Sequence, residues 1–329
     1  MTKKILNIII ATVVLGGIIV AITRTSPRDT TSTQKEKVTI AEFGEVFIYA
    51  PLYIAQEKGF FNEEGLDVTI VPTGGDEKTF AALLSGDAQF GVADPTFTAI
   101  SGERGQPGQV IASIVSGVPF WGIAKNTPVP EIKTPSELST YSVATYPSPS
   151  TAYTLQKNMF DRGGLKSNIK EIAFGSLLAA LDANQIDIAL ELEPVVSTAV
   201  KNGARIVYAM PDHYGDFALT GITALPAYLN KHPETAQNVV NAIQKALTYI
   251  HNNPEGAAEV MNKRFPDIDP IIAKNAIQNL TKGNVIPKNA LVSKAGWDAA
   301  IQLRVNAGDL KQNAKYETFV ATHFAQQAK

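Results

Sequence analysis

The sequence predicts an α/β fold with two similar lobes. Short apolar runs alternate with helical stretches from Val38 to about residue 225, which is the pattern of α/β proteins. Two segments, Ala81–Pro95 and Ala179–Pro194, share one order of events: a helix end, a polar turn, an apolar strand and an acidic residue before proline. The 329 residues suffice for two domains of ordinary size with a substantial core.

The first half of this region is predicted from its strand and helix signals. Strands are expected at Val38–Ala41, Asp67–Val71, Gln89–Ala93, Val110–Ser116 and Trp121–Lys125. A helix is expected from Pro51 to Gly59, because proline suits the first helical turn and glycine the end. Thr73–Asp76 form a turn in which Asp76 is expected to cap a helix that runs to Ser85. A further helix is expected to begin at Asp94-Pro95.

The second half repeats this organisation. Strands are expected at Ser142–Thr145, Lys170–Phe174, Ile186–Glu191, Arg205–Tyr208 and Leu219–Leu225. Thr134–Glu137 has the form of a capping box at a helix start. Pro147–Thr151 leads into a helix that ends at Gly163, and Ser176–Ala183 is another helix. From Pro226 onward the chain is predicted to be almost entirely helical.

Residues 1–37 are predicted to lie outside the fold. Lys3 and Lys4 precede an apolar run from Ile5 to Ile22, and a polar stretch, TSPRDTTSTQKEK, follows. A positively charged start before an apolar run is typical of an export signal, and a run of about 18 residues also reaches the length of a membrane span. We therefore expect a signal peptide or an N-terminal membrane anchor with a linker. Both place the remainder outside the cytoplasmic membrane, in the periplasm or on the extracellular face.

Composition excludes several classes of function. The chain has 29 basic and 31 acidic residues, and a formal charge of −2 creates no field that would attract nucleic acid. It contains no cysteine, which excludes disulfides, thiolate metal sites and cysteine nucleophiles. The sequence has no Walker loop, G-x-S-x-G or H-E-x-x-H motif, and its four histidines are scattered. We predict a protein that is not an enzyme and has no cofactor or metal.

The loops that follow the predicted strands form a candidate ligand site. In open α/β sheets ligands bind outside the carboxyl ends of the strands, and a cleft between two lobes is a favoured location. The candidate ligand-binding residues are Phe43, Glu45, Phe47, Tyr49, Gly75, Asp76, Asp94, Thr96, Trp121, Tyr146, Ser148, Ser150, Thr151, Glu191 and Glu193. Aromatic and acidic side chains dominate this set.

Some of these residues also fit structural roles, and the sequence leaves the choice open. Asp94 and Glu193 fit the capping of the helices that follow them. Phe47 fits the core, and Trp121 fits packing within a lobe. Several negative charges in one dry cleft would force some carboxyl groups to take up a proton. Some of the following six acids must therefore point outward: Glu42, Glu45, Asp76, Asp94, Glu191 and Glu193.

Three stretches of the sequence carry a resemblance to a known family. APLYIAQEKGFFNEEGLDVTIV, ALLSGDAQFGVADP and DIALELEP resemble the solute-binding proteins of ABC importers. The most similar branch takes up nitrate, sulfonates, taurine and thiamine-type pyrimidines. The resemblance covers about Val38 to the mid-230s, and the helical tail more loosely.

This resemblance implies a type II periplasmic-binding fold, with two α/β lobes and a cleft that closes on a ligand. It implies delivery of that small-molecule ligand to a membrane permease by a monomeric protein. Residues 38–122 and 218–329 would form lobe one, and residues 123–217 would form lobe two. Ser116–Gly122 and Asp212–Thr220 would be the crossovers that absorb hinge motion.

The ligand class is predicted from the residue types in the cleft loops. Aromatic faces bind flat or cationic groups, and carboxylates accept hydrogen bonds from amines. We therefore expect an amine-bearing aromatic ligand, such as an aminopyrimidine precursor of thiamine. The alternative is an alkanesulfonate, taurine or nitrate held by the helix start at Pro147–Thr151. A membrane-tethered sensor and an enzyme are alternatives from other classes. Some relatives synthesise the pyrimidine with a cysteine-rich segment, which this chain lacks.

Overall fold

The structure is a computed structural model that describes residues 35–126 and 128–329. Residues 1–34 of the predicted signal peptide or anchor lie outside the described residues. Within these two ranges no helix is long and apolar enough to cross a membrane. The first described element is a strand that begins at Glu36.

The strands of the described ranges form two five-stranded sheets. They are β1 (Glu36–Glu42), β2 (Leu66–Pro72), β3 (Phe90–Ala93), β4 (Gln109–Ser116), β5 (Trp121–Ala124), β6 (Val143–Thr145), β7 (Ile169–Glu171), β8 (Ile188–Glu191), β9 (Arg205–Ala209) and β10 (Ala218–Ala224). The first sheet has the order β2-β1-β3-β10-β4, and the second has the order β7-β6-β8-β5-β9. Each predicted strand is present, with its ends shifted by a few residues.

Helices flank both sheets and make up most of the C-terminal region. They are α1 (Ala50–Glu57), α2 (Phe60–Glu63), α3 (Asp76–Ser85), α4 (Phe97–Gly102), α5 (Thr151–Arg162), α6 (Leu177–Asp182), α7 (Val195–Lys201), α8 (Pro226–Lys231), α9 (Pro233–Asn252), α10 (Pro254–Arg264), α11 (Pro270–Lys282), α12 (Lys294–Ala307), α13 (Tyr316–Phe319) and α14 (Thr322–Gln326). Helices α8 to α11 each begin with proline, whose fixed φ suits the first turn. The predicted α/β class and helical C-terminal region are confirmed.

The two sheets have the same topology. In the first, β1 is parallel to β2 and β3, and β10 is antiparallel to β3 and β4. In the second, β6 is parallel to β7 and β8, and β5 is antiparallel to β8 and β9. The segments Ala81–Pro95 and Ala179–Pro194 supply β3 and β8, which occupy the same position in their sheets. The internal correspondence is therefore confirmed in strand order.

The chain passes between the sheets twice. It leaves the first sheet after β4, and it returns after β9 to form β10. The predicted lobe boundary at 122–123 falls inside β5, which belongs entirely to the second sheet. The ranges predicted for the lobes and crossovers stay a prediction.

The core surrounds the central strands. Every residue of β3, β8 and β10 is buried. Because these strands are covered on both faces, most of their residues are apolar and polar residues do not alternate with them. Helix α9 buries Val239, Ile243, Leu247 and Ile250. These positions recur every three or four residues and form one helix face, which packs in the core with α1 and β4.

Two predicted helix starts differ from the structure. Gly75 is the N-cap of α3, and Asp76 is its first residue; Asp76 Oδ1 instead accepts a hydrogen bond from Asp94 N at 2.9 Å. Helix α4 begins at Phe97 and not at Asp94-Pro95, because the Asp94 carboxylate accepts from Thr96 N at 2.8 Å and forms a local turn first. The predicted cap at Asp76 is wrong, and its carboxylate has a tertiary partner.

The segment after Thr134 also differs in its helix type. Residues Pro135–Thr140 form a short 3₁₀ helix. Glu137 accepts hydrogen bonds from the backbone N–H of Lys133 and of Thr134, at 2.7 and 3.2 Å. The glutamate half of the predicted capping box is therefore present, at the start of a 3₁₀ turn that ends before β6.

Gly122 allows close packing in the second sheet, and Gly122→Ala is expected to lower the free energy of unfolding by about 1–3 kcal/mol. A β-carbon at this position would overlap the Tyr208 ring. That ring cannot shift easily, because the Tyr208 hydroxyl donates to buried Gln156 at 2.6 Å. Urea denaturation measures the change. Gly44→Ala is the control, since a β-carbon there has no neighbour within 4 Å. Equal stability of the two variants would contradict this packing argument.

Candidate functional site

A cavity of about 60 Å³ lies where loops of the two sheets meet. From the first sheet, Phe43 directly follows β1, Asp76 lies shortly beyond β2, and Asp94 directly follows β3. These strands are parallel neighbours, so their carboxyl ends bring the three side chains to one edge. The antiparallel β10 begins at this edge and adds Leu219 and Thr220.

The second sheet contributes to the cavity in the same way. Tyr146 directly follows β6, Phe174 lies shortly beyond β7, and Leu192 directly follows β8. The remaining lining residues come from the adjoining loops and helix starts: Val46, Ile48, Tyr49, Phe120, Ser150, Thr151 and Ala152. The lining is therefore made by equivalent loops of two similarly built sheets.

Three aromatic residues on the side of the second sheet, Phe120, Tyr146 and Phe174, form an aromatic trio. The ring centroids of Phe120 and Tyr146 are 6.3 Å apart, and those of Tyr146 and Phe174 are 5.1 Å apart, with edge-to-face geometry in both pairs. Phe174 is 55% exposed although it is a large apolar side chain. A flat ligand in the cavity would cover this face.

The position of Tyr146 is held by a buried carboxyl group. The Tyr146 hydroxyl donates to Glu191 Oε2 at 2.8 Å, and Leu192 N donates to the same oxygen at 3.4 Å. Glu191 is 3% exposed. Burial raises the pKa of Glu191 to about 7, although the Tyr146 hydrogen bond acts in the opposite direction. Glu191 therefore supports the cavity wall from behind and does not line it.

Asp94 is the most extensively bonded acid of the cavity. Its carboxylate accepts from Arg304 Nη2 at 2.6 Å and from Thr151 Oγ1 at 2.8 Å. The other oxygen accepts from Thr96 N at 2.8 Å and Thr96 Oγ1 at 2.6 Å. The bond from Thr151 connects the end of β3 to the start of α5, and so connects the two sides of the cavity.

Arg304 supports the candidate site but is not among the residues predicted from the sequence. It lies on α12 and is 1% exposed. Besides Asp94, the guanidinium donates to Asp309 Oδ2 at 2.9 Å and to Thr151 Oγ1 at 3.0 Å. Burial lowers the pKa of Arg304, but the charges of Asp94 and Asp309 raise it above its ordinary value. The side chain therefore stays charged. Because Asp94 and Arg304 are 210 residues apart, no local motif indicates the pair.

Asp76 has a different environment from Asp94. It lines the cavity, and its side chain accepts a hydrogen bond from Asp94 N at 2.9 Å. Burial and the nearby Asp94 carboxylate raise the pKa of Asp76 to about 7, and the charge of Arg304 acts in the opposite direction. This carboxyl group therefore gains most from a positive charge placed in the cavity.

Among the residues that the structure describes, those that line the cavity include no lysine, arginine or histidine. Nine of them are aromatic residues or aliphatic residues larger than alanine, and two are carboxylic acids. Arg304 lies behind Asp94 and contributes no lining surface. Within residues 35–126 and 128–329, no group of three or more His, Asp or Glu side chains is placed to hold a metal ion. The electrostatic character of the lining therefore favours a cation or a hydrogen-bond donor.

The start of α5 is the lining feature that would suit an anion. Ser150 is its N-cap, and Ser150 Oγ accepts from Tyr153 N at 3.2 Å. Helix N-termini bind anions through free N–H groups and the helix dipole. The Thr151 hydroxyl, however, donates to Asp94, whose carboxylate lies 2.8 Å away.

The structure brings about half of the predicted ligand-binding residues together. Those that line the cavity are Phe43, Tyr49, Asp76, Asp94, Tyr146, Ser150 and Thr151. Thr96 and Glu191 are buried next to it and act on Asp94 and Tyr146 respectively. Gly75 is the N-cap of α3 and lies outside the lining.

The other predicted residues lie elsewhere. Glu45 is exposed and pairs with Arg264 at 2.9 Å, and Ser148 is exposed with its N–H bonded to Glu171. Phe47 is 3% exposed, and its ring lies 5.6 Å from that of Phe265. Trp121 begins β5 and is half-buried. Of these four residues, Phe47 therefore takes the core role that the sequence had left open.

Glu193 lies outside the cavity although its counterpart Asp94 lines it. Leu192 directly follows β8 as Asp94 directly follows β3, so the extra residue of the second segment moves Glu193 one position onward. Its carboxylate accepts from Ser197 Oγ and from Asn279 Nδ2, both at 2.9 Å. The lining residue of this segment is the one that directly follows the strand, Leu192, and not the acid that precedes proline.

Comparisons with known proteins agree with this architecture. The family model described as "NMT1/THI5 like" matches residues 47–257. A Bacillus subtilis (strain 168) protein with the name "Putative binding protein YtlA" is 26% identical over 298 residues, which cover 88% of this chain and 89% of that protein.

Two solved structures show the fold. The periplasmic aliphatic sulphonate binding protein SsuA from Escherichia coli has a TM-score of 0.71 at 14% identity and covers 89% of this chain and 99% of its own. The periplasmic nitrate-binding protein NrtA from Synechocystis PCC 6803 has a TM-score of 0.67 at 14% identity, with coverages of 89% and 88%. The chain therefore has the α/β fold of periplasmic binding proteins, and it belongs to the NMT1/THI5-like family.

Proposed function

We propose that this protein is the extracytoplasmic solute-binding component of an ABC importer, which captures a small nutrient between two lobes and delivers it to a membrane permease. The family, the fold and the name of the Bacillus subtilis relative support this role. In this proposal, residues 38–122 and 218–329 form lobe one and residues 123–217 form lobe two. The passages near 116–122 and 212–220 absorb the hinge motion.

The ligand is proposed to be a small, flat, amine-bearing compound such as an aminopyrimidine. The composition of the cavity lining carries this proposal. The aromatic trio offers faces for a planar ring, Asp76 offers a carboxylate for donor groups, and Asp94 adds a second negative charge. Basic side chains would compete for these carboxylates, and the described part of the chain contributes none to the lining.

A sulfonate, taurine or nitrate ligand is the second candidate. The names of SsuA and NrtA and the start of α5 favour it. An anion at Ser150 would nevertheless lie near Asp94 and Asp76 without a basic lining residue to offset their charge. The chemistry of the lining therefore ranks this candidate second.

Thermal unfolding of the purified full-length chain with a ligand panel tests the function. One set contains aminopyrimidines, thiamine, flavins and polyamines, and the other contains alkanesulfonates, taurine, nitrate and bicarbonate. A ligand at a hundred times its Kd adds about 2.7 kcal/mol, which raises Tm by a few degrees. We expect a shift with compounds of the first set.

The outcomes separate the candidates. A shift with sulfonates or nitrate alone would contradict the amine-bearing ligand and support the α5 start as the anchor. Mass analysis of the recovered ligand distinguishes a binding protein, which returns it unchanged, from an enzyme. A Tm that no member of either set changes would contradict both ligand classes.

A further inference from the structure

We propose that Asp76 accepts a protonated amine of the ligand, whereas Asp94 is a positioning residue that joins the two sides of the cavity. This inference rests on the proposed function and names the ligand feature that it selects: an ammonium group and not a neutral donor. The two carboxylates lie in one cavity, and their hydrogen bonds assign them different tasks.

The bonds of Asp94 leave it little capacity for a ligand. Each of its oxygens accepts two hydrogen bonds, one pair from Thr96 and the other from Arg304 and Thr151. The charge of Asp94 is matched by the guanidinium at 2.6 Å. Asp94 is also only 5% exposed. A ligand amine would have to displace a protein donor in order to bind there.

Asp76 retains the capacity that Asp94 lacks. Within the part of the chain that the structure describes, its side chain accepts one hydrogen bond, from Asp94 N to Oδ1. The oxygen Oδ2 has no protein donor there, and the side chain lines the cavity. A carboxylate seeks several donors, and charge-assisted bonds are its strongest. A side chain that lines the cavity therefore carries a carboxylate oxygen to which no described protein group donates.

Charge distinguishes an ammonium from a neutral donor at this position. Asp76 lies close to a second carboxylate, and the Arg304 guanidinium donates to Asp94 and Asp309 and not to Asp76. This arrangement, with burial, raises the pKa of Asp76 to about 7. A ligand ammonium would relieve the repulsion and hold Asp76 ionised, whereas a hydroxyl group would leave the repulsion in place.

The aromatic trio places the rest of the ligand. Phe120, Tyr146 and Phe174 belong to the side of the second sheet, and Asp76 belongs to the side of the first. A ligand that bridges the cavity would hold a ring against the trio and an ammonium against Asp76. Both ends would then depend on the two sides being close, which Asp94, Thr151 and Arg304 maintain.

Two probes that differ in one group test this assignment. 4-Amino-5-aminomethyl-2-methylpyrimidine carries an ammonium near neutral pH, and its 5-hydroxymethyl analogue carries a neutral hydroxyl. Calorimetric titration at pH 7.5 is expected to show a preference of about tenfold to a hundredfold for the aminomethyl probe, the size of a charge-assisted hydrogen bond. Asp76→Asn is expected to abolish this preference while it retains most of the affinity for the hydroxymethyl probe.

Two further variants control the experiment. Glu77→Gln removes the same charge from the adjacent, exposed position of α3 and is expected to preserve the preference. Asp94→Asn is expected to weaken both probes, because it acts on the position of the walls, and to lessen the ammonium preference without abolishing it, because it also removes the carboxylate that repels Asp76. Asp76→Asn keeps an acceptor for Asp94 N, so its Tm is expected to be no lower than that of the wild type.

The results separate failure of this inference from failure of the proposed function. Persistence of the ammonium preference in Asp76→Asn would overturn the assignment to Asp76. Equal binding of both probes by the wild type would overturn the selection of an ammonium, while the binding function would stand. If neither probe binds and taurine or an alkanesulfonate raises Tm, the amine-bearing ligand itself is wrong, and this inference fails with it.

Discussion

Arg304→Met is expected to lower the free energy of unfolding by about 3–5 kcal/mol, because it leaves a buried carboxylate without its counter-charge. Asp94 and Arg304 are 5% and 1% exposed, and their charged atoms are 2.6 Å apart. Methionine matches the length of the side chain but supplies none of the donors that reach Asp94, Thr151 and Asp309. Urea denaturation followed by circular dichroism measures the loss.

Controls separate the lost charge pair from general damage to α12. Arg304→Met combined with Asp94→Asn is expected to recover much of the loss, because the buried charge disappears with its partner. Arg162→Met, at an exposed arginine at the end of α5, is expected to change stability by less than about 1 kcal/mol. If Arg304→Met yields no soluble protein, Arg304→Lys tests the same pair at a smaller cost. Wild-type stability of both Arg304 variants would refute this account.

Glu191→Gln is expected to raise stability at pH 8 by up to about 3 kcal/mol and to change it little at pH 5. The pKa of Glu191 is raised from an ordinary 4.5 to about 7 by burial. The folded state therefore binds this proton more tightly than the unfolded state. The contribution of Glu191 to the free energy of unfolding is therefore greatest below pH 4.5. It decreases as the pH rises and is lost above about pH 7. Glutamine removes this loss and still accepts from Tyr146.

The measurement is the free energy of unfolding of both proteins in urea at pH 5, 6, 7 and 8. The difference between variant and wild type is expected to grow across this range. Glu259→Gln makes the same change at an exposed position of α10 and is expected to give a constant, small difference. A Glu191→Gln difference that does not vary with pH would show that Glu191 is ionised throughout.

The order of strands and helices is largely predictable because its signals are local. The apolar run before Asp94, the proline near the start of α1 and the glycine after α5 each act within a few residues. The cap predicted at Asp76 and the helix start predicted at Asp94-Pro95 differ from the structure for the opposite reason. Both acids were assigned to local caps, but Asp76 binds the backbone of Asp94 across 18 residues, and Asp94 binds Arg304.

Part of the candidate site follows from the same local pattern. Loops after parallel strands gather at one edge of a sheet, so Phe43, Asp76 and Asp94 were predictable as neighbours, and Tyr146 follows the equivalent strand of the second sheet. Phe174 and Leu192 occupy equivalent positions, but apolar side chains carry no chemical signal that separates a lining residue from the core.

The sequence alone determines the α/β class, the repeated strand order, the family and an acidic and aromatic set of residues in the loops after the strands. Only the tertiary structure decides which acids are neutralised, which support a wall and which are open to the cavity. Asp94, Glu191 and Asp76 take these three roles because of contacts with Arg304, Tyr146 and the cavity itself. Such contacts join residues 45 to 210 positions apart, and a short-range pattern cannot encode them.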